Sequence, residues 1–267
     1  SFLIKSLGAY FIRRRSRGAL YRKVLARYVQ MATAGGVNQA MYPEGGLSLT
    51  GRLQRPRLGL LSYVIEGFDP GEERDVVLVP VAINYDRVLE DKVLIAAAQR
   101  GDRRFGARIT VIVGFILRKL WQRLTYQETR FGSAAVAFGA PVSLREAGPG
   151  ATVEDLSEQL MSRIARAMPV LSVPLISYAL LSRGRASRDD LRAQVKTLLA
   201  QVPQDNQAVD KAQIDLELAR ALEGMQSRGL ITSENGLWVP VADQTAVLQF
   251  YANSIAHFLP PIAALAK

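Results

Sequence analysis

Three stretches of this sequence carry side chains suited to holding an oxyanion. The first is Gly8-Ala9-Tyr10-Phe11-Ile12-Arg13-Arg14-Arg15, an apolar stretch that ends in three arginines, so that a buried element would deliver guanidinium groups to a rim. Arginine suits that task because its planar fork meets phosphate or carboxylate through two parallel hydrogen bonds. The second is Tyr42-Pro43-Glu44-Gly45-Gly46-Leu47-Ser48, followed by Gly51-Arg52-Leu53 and Pro56-Arg57-Leu58-Gly59-Leu60-Leu61. Glycines after a strand let backbone approach a ligand closely, and successive N–H groups can form an anion nest. Glu44 is the one acid among the first 60 residues, against eleven Lys and Arg. It is expected to be ionised, orienting an arginine or accepting a substrate hydroxyl. The third stretch is Val77-Leu78-Val79-Pro80-Val81-Ala82-Ile83, where Pro80 removes a ladder donor and suits a strand end or bulge beside a site.

The charge distribution points the same way. The chain is +10 overall, and all of that excess lies in the first 60 residues; the remainder holds 23 basic and 23 acidic side chains. A localised basic patch attracts phosphate-bearing partners, whether nucleic acid, anionic lipid or a small phosphorylated substrate. The absence of cysteine excludes disulfides, thiolate metal sites and cysteine nucleophiles, and the lone histidine, His257, excludes multi-histidine metal clusters. No metal or redox cofactor is expected. His257 sits among Ile255, Phe258 and Leu259, the setting of a packed structural imidazole.

The 267 residues, 49% apolar and 22% charged, are enough for one large folded domain or two smaller ones. Leu20, Val24, Tyr28 and Met31 recur at helical spacing over 18–34, and Gly35-Gly36 ends that helix. A short strand over 37–42 then leads into the glycine-rich loop. A helix over 57–68 follows, then a near-continuous β-branched run over 75–84 that predicts a buried parallel strand. A helix over 106–124 and a strand over 133–138 continue the alternation. Helices over 152–167, 187–201, 207–228 and 243–259 dominate the rest, with a hairpin over 230–239 turned at Asn235-Gly236 and closed off by Pro240. The expected architecture is α/β with a mainly helical C-terminal region, divided as 1–150 and 151–267, or else at Arg183-Gly184-Arg185. Segments 109–121 and 168–181 are either core or a face lying on a membrane. Neither reaches the 18 or more apolar residues of a membrane span. Residues 187–239 have winged-helix-like order, but 204–225 carries more acids than bases, so no nucleic-acid partner is expected. The opening Ser-Phe-Leu-Ile, without Met, is expected of a processed product or a piece of a longer protein.

In this order and at these spacings, the three stretches resemble the glycerolipid acyltransferase family, most closely the bacterial membrane-associated glycerol-3-phosphate acyltransferases. The similarity extends to Asn84-Tyr85-Asp86-Arg87-Val88-Leu89-Glu90 and to Phe250-Tyr251-Ala252-Asn253-Ser254-Ile255-Ala256-His257. The resemblance implies that Arg14, with Arg13 beside it, contacts a phosphate. It implies that Glu44, Gly45 and Ser48 bind substrate, and that Pro80 is the strand proline of the family. Leu47 stands where most members carry a phosphate-binding arginine, a place Arg52 or Arg14 would have to fill.

The family's His-x-x-x-x-Asp block, which supplies the general base and its orienting carboxylate, is not in this chain and is expected upstream of Gly8. The implied activity of the full protein is acyl transfer from acyl-CoA or acyl-carrier protein to the sn-1 hydroxyl of glycerol 3-phosphate, at the cytoplasmic face of the inner membrane. An anionic membrane surface is the implied partner. Dihydroxyacetone-phosphate or lysophosphatidate acylation shares these motifs, and a non-catalytic lipid- or acyl-carrier-binding module is the alternative of another class.

Overall fold

The computed structural model of the chain describes residues 12, 18–71, 74–101, 132–148 and 150–262. Arg13 and Arg14, the helix expected over 106–124 and the segment 109–121 lie outside the described residues. Two compact units are formed. One comprises residues 1–43, 57–78 and 142–157, the other 44–56, 79–141 and 158–267.

In the first unit, α1 (Ala19–Ala34) ends where Gly36, at φ +71°, leaves helical geometry. Its Val29 is buried, as are Leu61 and Val64 of α2 (Gly59–Glu66), against which it packs. A Cβ at Gly67 would lie 2.3 Å from the Gln30 side chain, so glycine sets how closely these helices approach. Leu20, Val24, Tyr28 and Met31, the stripe that periodicity marks as a core face, are instead 52–77% exposed. No strand forms over 37–42, since Asn38, Gln39 and Ala40 are weak strand formers. Strand β1 (Val77–Leu78) pairs antiparallel with β4 (Val142–Ser143). Ser143 caps the one-turn helix α4 (Leu144–Ala147) and donates to Asp75 at 2.5 Å, a bond that holds the Asp75 carboxyl below its usual range. Helix α5 (Val153–Arg166) starts in this unit.

The expected single strand over 75–84 is thus two. Pro80, without an N–H to donate, separates β1 from β2 (Val81–Tyr85). β2 pairs with β3 (Ala134–Phe138) in the second unit, antiparallel rather than parallel. Only its alternate residues Ala82 and Asn84 are buried, so the run is half-exposed rather than fully interior.

The second unit holds most of the core. Its centre is α6 (Ser172–Arg183), whose Leu175, Ile176, Tyr178, Ala179 and Leu180 are at most 1% exposed. Residues 168–181 are therefore core, and the membrane-face reading of that segment is overturned. A helix apolar on every side shows no 3.6-residue contrast, and Pro174 sits in the first turn, where no N–H partner is needed. Around α6 pack α7 (Arg188–Gln201), α8 (Ile214–Ser227) and α9 (Thr245–Asn253). Ser187 and Asp190 start α7 with a reciprocal capping box. Strands β5 (Ile231–Glu234) and β6 (Leu237–Pro240) form the expected hairpin, with Asn235 at φ +50° and Gly236 at φ +78° making the turn. Helix α3 (Asp91–Arg100), unforeseen in the sequence, packs its Leu94 into this core. Among the described residues no helix is long and apolar enough to cross a membrane.

Candidate functional site

The glycine-rich loop over 44–54 is drawn into a closed shape by its own polar groups. The Glu44 carboxylate accepts the Gln54 backbone N–H at 3.1 Å, tying the two ends of the loop together. Half-burial raises the Glu44 pKa, and the Gln54 bond works against that rise. The partner that orients Glu44 is therefore a backbone amide. Among the described residues, no arginine shares a hydrogen bond with it.

Ser48 and Arg52 are brought together. The Ser48 hydroxyl donates to the Arg52 carbonyl at 2.7 Å, and the Gln54 amide donates to the same oxygen at 3.0 Å. With its proton committed there, Ser48 has lone pairs left with which to accept from a ligand. Gly45 adopts φ +66° and Gly51 φ +79°, left-handed backbone that favours glycine at both bends. Leu47 is 67% exposed at the tip of the loop and fills no core position.

Beneath the loop lies α9. The Arg52 Nε–H donates to Asn253 Oδ1 at 3.2 Å, and Asn253 Nδ2 donates to the Thr50 carbonyl at 2.7 Å. Gln249, one turn earlier, donates to the same Oδ1 at 2.9 Å. Holding Arg52 by Nε leaves its two terminal nitrogens without a protein partner among the described residues, on an exposed side chain. That is a guanidinium edge ready for an oxyanion. Sequence reasoning did not find Thr50, Gln54, Gln249 or Asn253. Of these, Asn253 alone entered the sequence analysis, as one position of the Phe250–His257 similarity and without a role.

The other expected residues lie elsewhere. Pro80 is buried and its carbonyl accepts the Gly139 N–H at 2.8 Å; no described hydrogen bond joins it to the loop. The similar segment Asn84–Glu90 holds the second unit together. Asn84 donates to the Pro169 carbonyl at 2.8 Å and to Ser254 Oγ at 3.2 Å. Asp86 accepts the Val173 N–H at 2.9 Å and so caps α6, while burial pushes its pKa up. His257 lies on a single helical turn, with Nε2 2.9 Å from the Ala165 carbonyl and its ring 4.1 Å from that of Phe258. Desolvation lowers its pKa, and the Ala165 bond works against that fall. Among the described residues no cluster of three or more acidic or histidine side chains could hold a metal.

A glycine-hinged loop with a free guanidinium edge is suited to binding a phosphate monoester. A family profile described as acyltransferase matches residues 1–84, and one described as glycerol-3-phosphate acyltransferase C-terminal region matches residues 120–267. The chain is 32% identical over 280 residues to a glycerol-3-phosphate acyltransferase of Aeromonas hydrophila, covering 94% of this chain and 33% of that protein. Proteins of the same name from Ectopseudomonas mendocina and Xylella fastidiosa are 28% and 26% identical, over 99% and 96% of this chain and 34% and 32% of theirs. The chain spans between about a third and two fifths of the length of the curated relatives it matches. With more than half of its residues under the second profile, the chain belongs to the glycerol-3-phosphate acyltransferase C-terminal region family.

Proposed function

We propose that in the whole protein this chain supplies the phosphate-holding loop and the supporting C-terminal region of a glycerol-3-phosphate 1-O-acyltransferase. The observation that carries this is Arg52, anchored through Nε with its terminal nitrogens free, in the loop that also carries Glu44, Gly45 and Ser48. Those nitrogens take two phosphate oxygens of glycerol 3-phosphate, with Arg14 and Arg13 as further phosphate contacts. The loop holds the glycerol so that its sn-1 hydroxyl faces the acyl donor. Glu44 accepts from the other glycerol hydroxyl through the carboxylate oxygen that Gln54 leaves free.

The chemical step needs a base to take the sn-1 proton. The alkoxide oxygen then attacks the thioester carbonyl, and the tetrahedral oxyanion collapses with loss of the thiolate of coenzyme A or of acyl-carrier protein. His257 holds the Ala165 carbonyl through Nε2 and has the apolar Ile262 where the family's aspartate would stand. The base is expected on the part of the relatives' length that this chain does not span, as the His-x-x-x-x-Asp block. The product is lysophosphatidate, a phospholipid precursor. Residues 1–150 would form the acyltransferase domain's C-terminal part and 151–267 the helical region that buttresses it.

We place the protein peripherally on the anionic cytoplasmic face of the inner membrane. Supporting this, α1 has no acidic residue, and its exposed stripe Leu20, Val24, Tyr28, Met31 is bordered by Lys23 and Arg27.

The decisive experiment compares acceptors in the whole protein. Arg52→Ala and Arg14→Ala should each raise KM for glycerol 3-phosphate far more than KM for the acyl donor. Equal effects on both substrates would make these arginines structural. Faster turnover of dihydroxyacetone phosphate or lysophosphatidate than of glycerol 3-phosphate would reassign the acceptor.

A further inference from the structure

The link between the loop and α9 has a chemistry that goes beyond holding a helix in place. Asn253 is buried, at 9% exposure, and its amide can sit in one orientation only. Arg52 Nε–H can only donate, so Oδ1 must face it; the Thr50 carbonyl can only accept, so Nδ2 must face that. Gln249 fixes Oδ1 from the preceding turn. A second contact sets the depth: a Cβ at Gly51 would lie 1.9 Å from the Phe250 carbonyl oxygen, so backbone rests on backbone between the two clamped residues. Thr50, Gly51 and Arg52 are thus all fixed by one face of α9. That helix lies in the segment matched by the C-terminal-region profile and beyond the segment matched by the acyltransferase profile.

We infer that Asn253 is a positioning residue for the phosphate site: it turns Arg52 so that Nε faces the protein and both terminal nitrogens face the acceptor's phosphate. The inference rests on the reading of Arg52 as a phosphate ligand. It gives the C-terminal region a direct part in recognising the acceptor. An arginine free to rotate would present any edge of its fork and lose side-chain entropy on binding, whereas one held at Nε is already set. The acyl donor, which does not use this edge, is indifferent to it.

The test uses the whole protein. Asn253→Ala should raise KM for glycerol 3-phosphate about tenfold, the equivalent of one charged hydrogen bond, with KM for the acyl donor unmoved. In an Arg52→Ala background the same change should add little, because its effect runs through Arg52. Asn253→Asp is isosteric and carries the test if Asn253→Ala does not fold. It keeps the acceptor for the Arg52 Nε–H and drops the Thr50 bond, so Arg52 stays turned and KM for glycerol 3-phosphate should rise less than in Arg52→Ala; a rise as large as that of Arg52→Ala would overturn the inference. In the unaltered protein without ligand, the Arg52 Nε–H should exchange slowly with water. Fast exchange, or additive effects of Asn253→Ala and Arg52→Ala, would overturn the inference. So would an unmoved glycerol 3-phosphate KM in Asn253→Ala when Arg52→Ala raises it. If Arg52→Ala itself leaves that KM unchanged, the assignment of Arg52 to phosphate fails, and this inference with it.

Discussion

Gly51 and Phe250 meet backbone to backbone, so closely that a methyl group on Gly51 would stand 1.9 Å from the Phe250 carbonyl oxygen. Side-chain give cannot relieve that contact, and φ +79° adds strain for any L-residue. Gly51→Ala should therefore lift the loop off α9 and raise KM for glycerol 3-phosphate. The combined clash and strain should also cost about 1–3 kcal/mol of stability by thermal melting. Gly46→Ala is the control, since nothing lies within 4 Å of a Cβ there. Equal behaviour of the two variants would mean that the Gly51 contact does not shape the site.

Leu47 and Arg52 can be tested as alternatives. Leu47 is 67% exposed, so replacing it leaves no cavity. Arg52→Ala should weaken glycerol 3-phosphate binding by about 10–150-fold, the range for a charge-assisted contact of roughly 1.5–3 kcal/mol. Adding Leu47→Arg should restore much of the loss. The coupling between the two should exceed the roughly 0.3–0.5 kcal/mol expected of independent sites. An additive cycle would mean that the loop does not hold phosphate through position 52.

The loop was legible in the sequence because its function depends on residue types that few other contexts require: glycines at two left-handed bends, one acid and a nearby arginine. What held the loop was not legible. Asn253 is 201 positions from Arg52, and a single buried amide leaves no periodic trace. The same limit applies to α6, whose all-round burial hides its helical period, and to Asp86, which caps that helix from 87 positions away. The β-branched run over 75–84 misled in the opposite way. Its composition is that of an interior strand, but Pro80 and the exposed Val81, Ile83 and Tyr85 make it two short antiparallel pieces.

The 267-residue chain on its own should not acylate glycerol 3-phosphate. Its single histidine gives Nε2 to the Ala165 carbonyl and has Ile262, not an aspartate, five residues on, so it does not match the His-x-x-x-x-Asp block that would take the sn-1 proton. Turnover by the isolated chain, lost in His257→Gln, would reassign the base to His257.

Helix α1 should bind vesicles containing anionic lipid through both charge and apolar contact. Exposed basic residues contribute about 1 kcal/mol each near such a surface, so binding by the whole protein should weaken with salt. Leu20→Asn with Met31→Asn should weaken it further without lowering the melting temperature, because both side chains are at least 60% exposed. A drop in melting temperature would show that the stripe is covered by protein rather than lipid.

The Asp91, Arg228 and Tyr251 cluster should show a distinct alkaline transition. Asp91 accepts from Arg228 and from the Tyr251 hydroxyl at 2.7 Å, and that hydroxyl in turn accepts the Val88 N–H at 2.9 Å. Burial above all pushes the Tyr251 pKa up to about 12, with the Arg228 charge opposing the rise. The folded state therefore holds this proton more tightly than the unfolded chain, whose tyrosine titrates near 10. The contribution is intact below pH 10 and is lost as pH climbs through 10 toward 12, by up to roughly 2–3 kcal/mol. Tyr251→Phe should flatten that part of the stability profile while lowering stability at neutral pH by about 1–3 kcal/mol, through the bonds it removes. Arg228→Met should cost more, about 3–5 kcal/mol, because it strands the buried Asp91 carboxylate, which is 6% exposed. Arg228→Lys should recover part of that loss. Since α9 carries both Tyr251 and Asn253, the conservative Tyr251→Phe change should also raise KM for glycerol 3-phosphate if it shifts the helix beneath Arg52. An unchanged KM beside a clear loss of stability would show that this cluster secures the core without setting the loop.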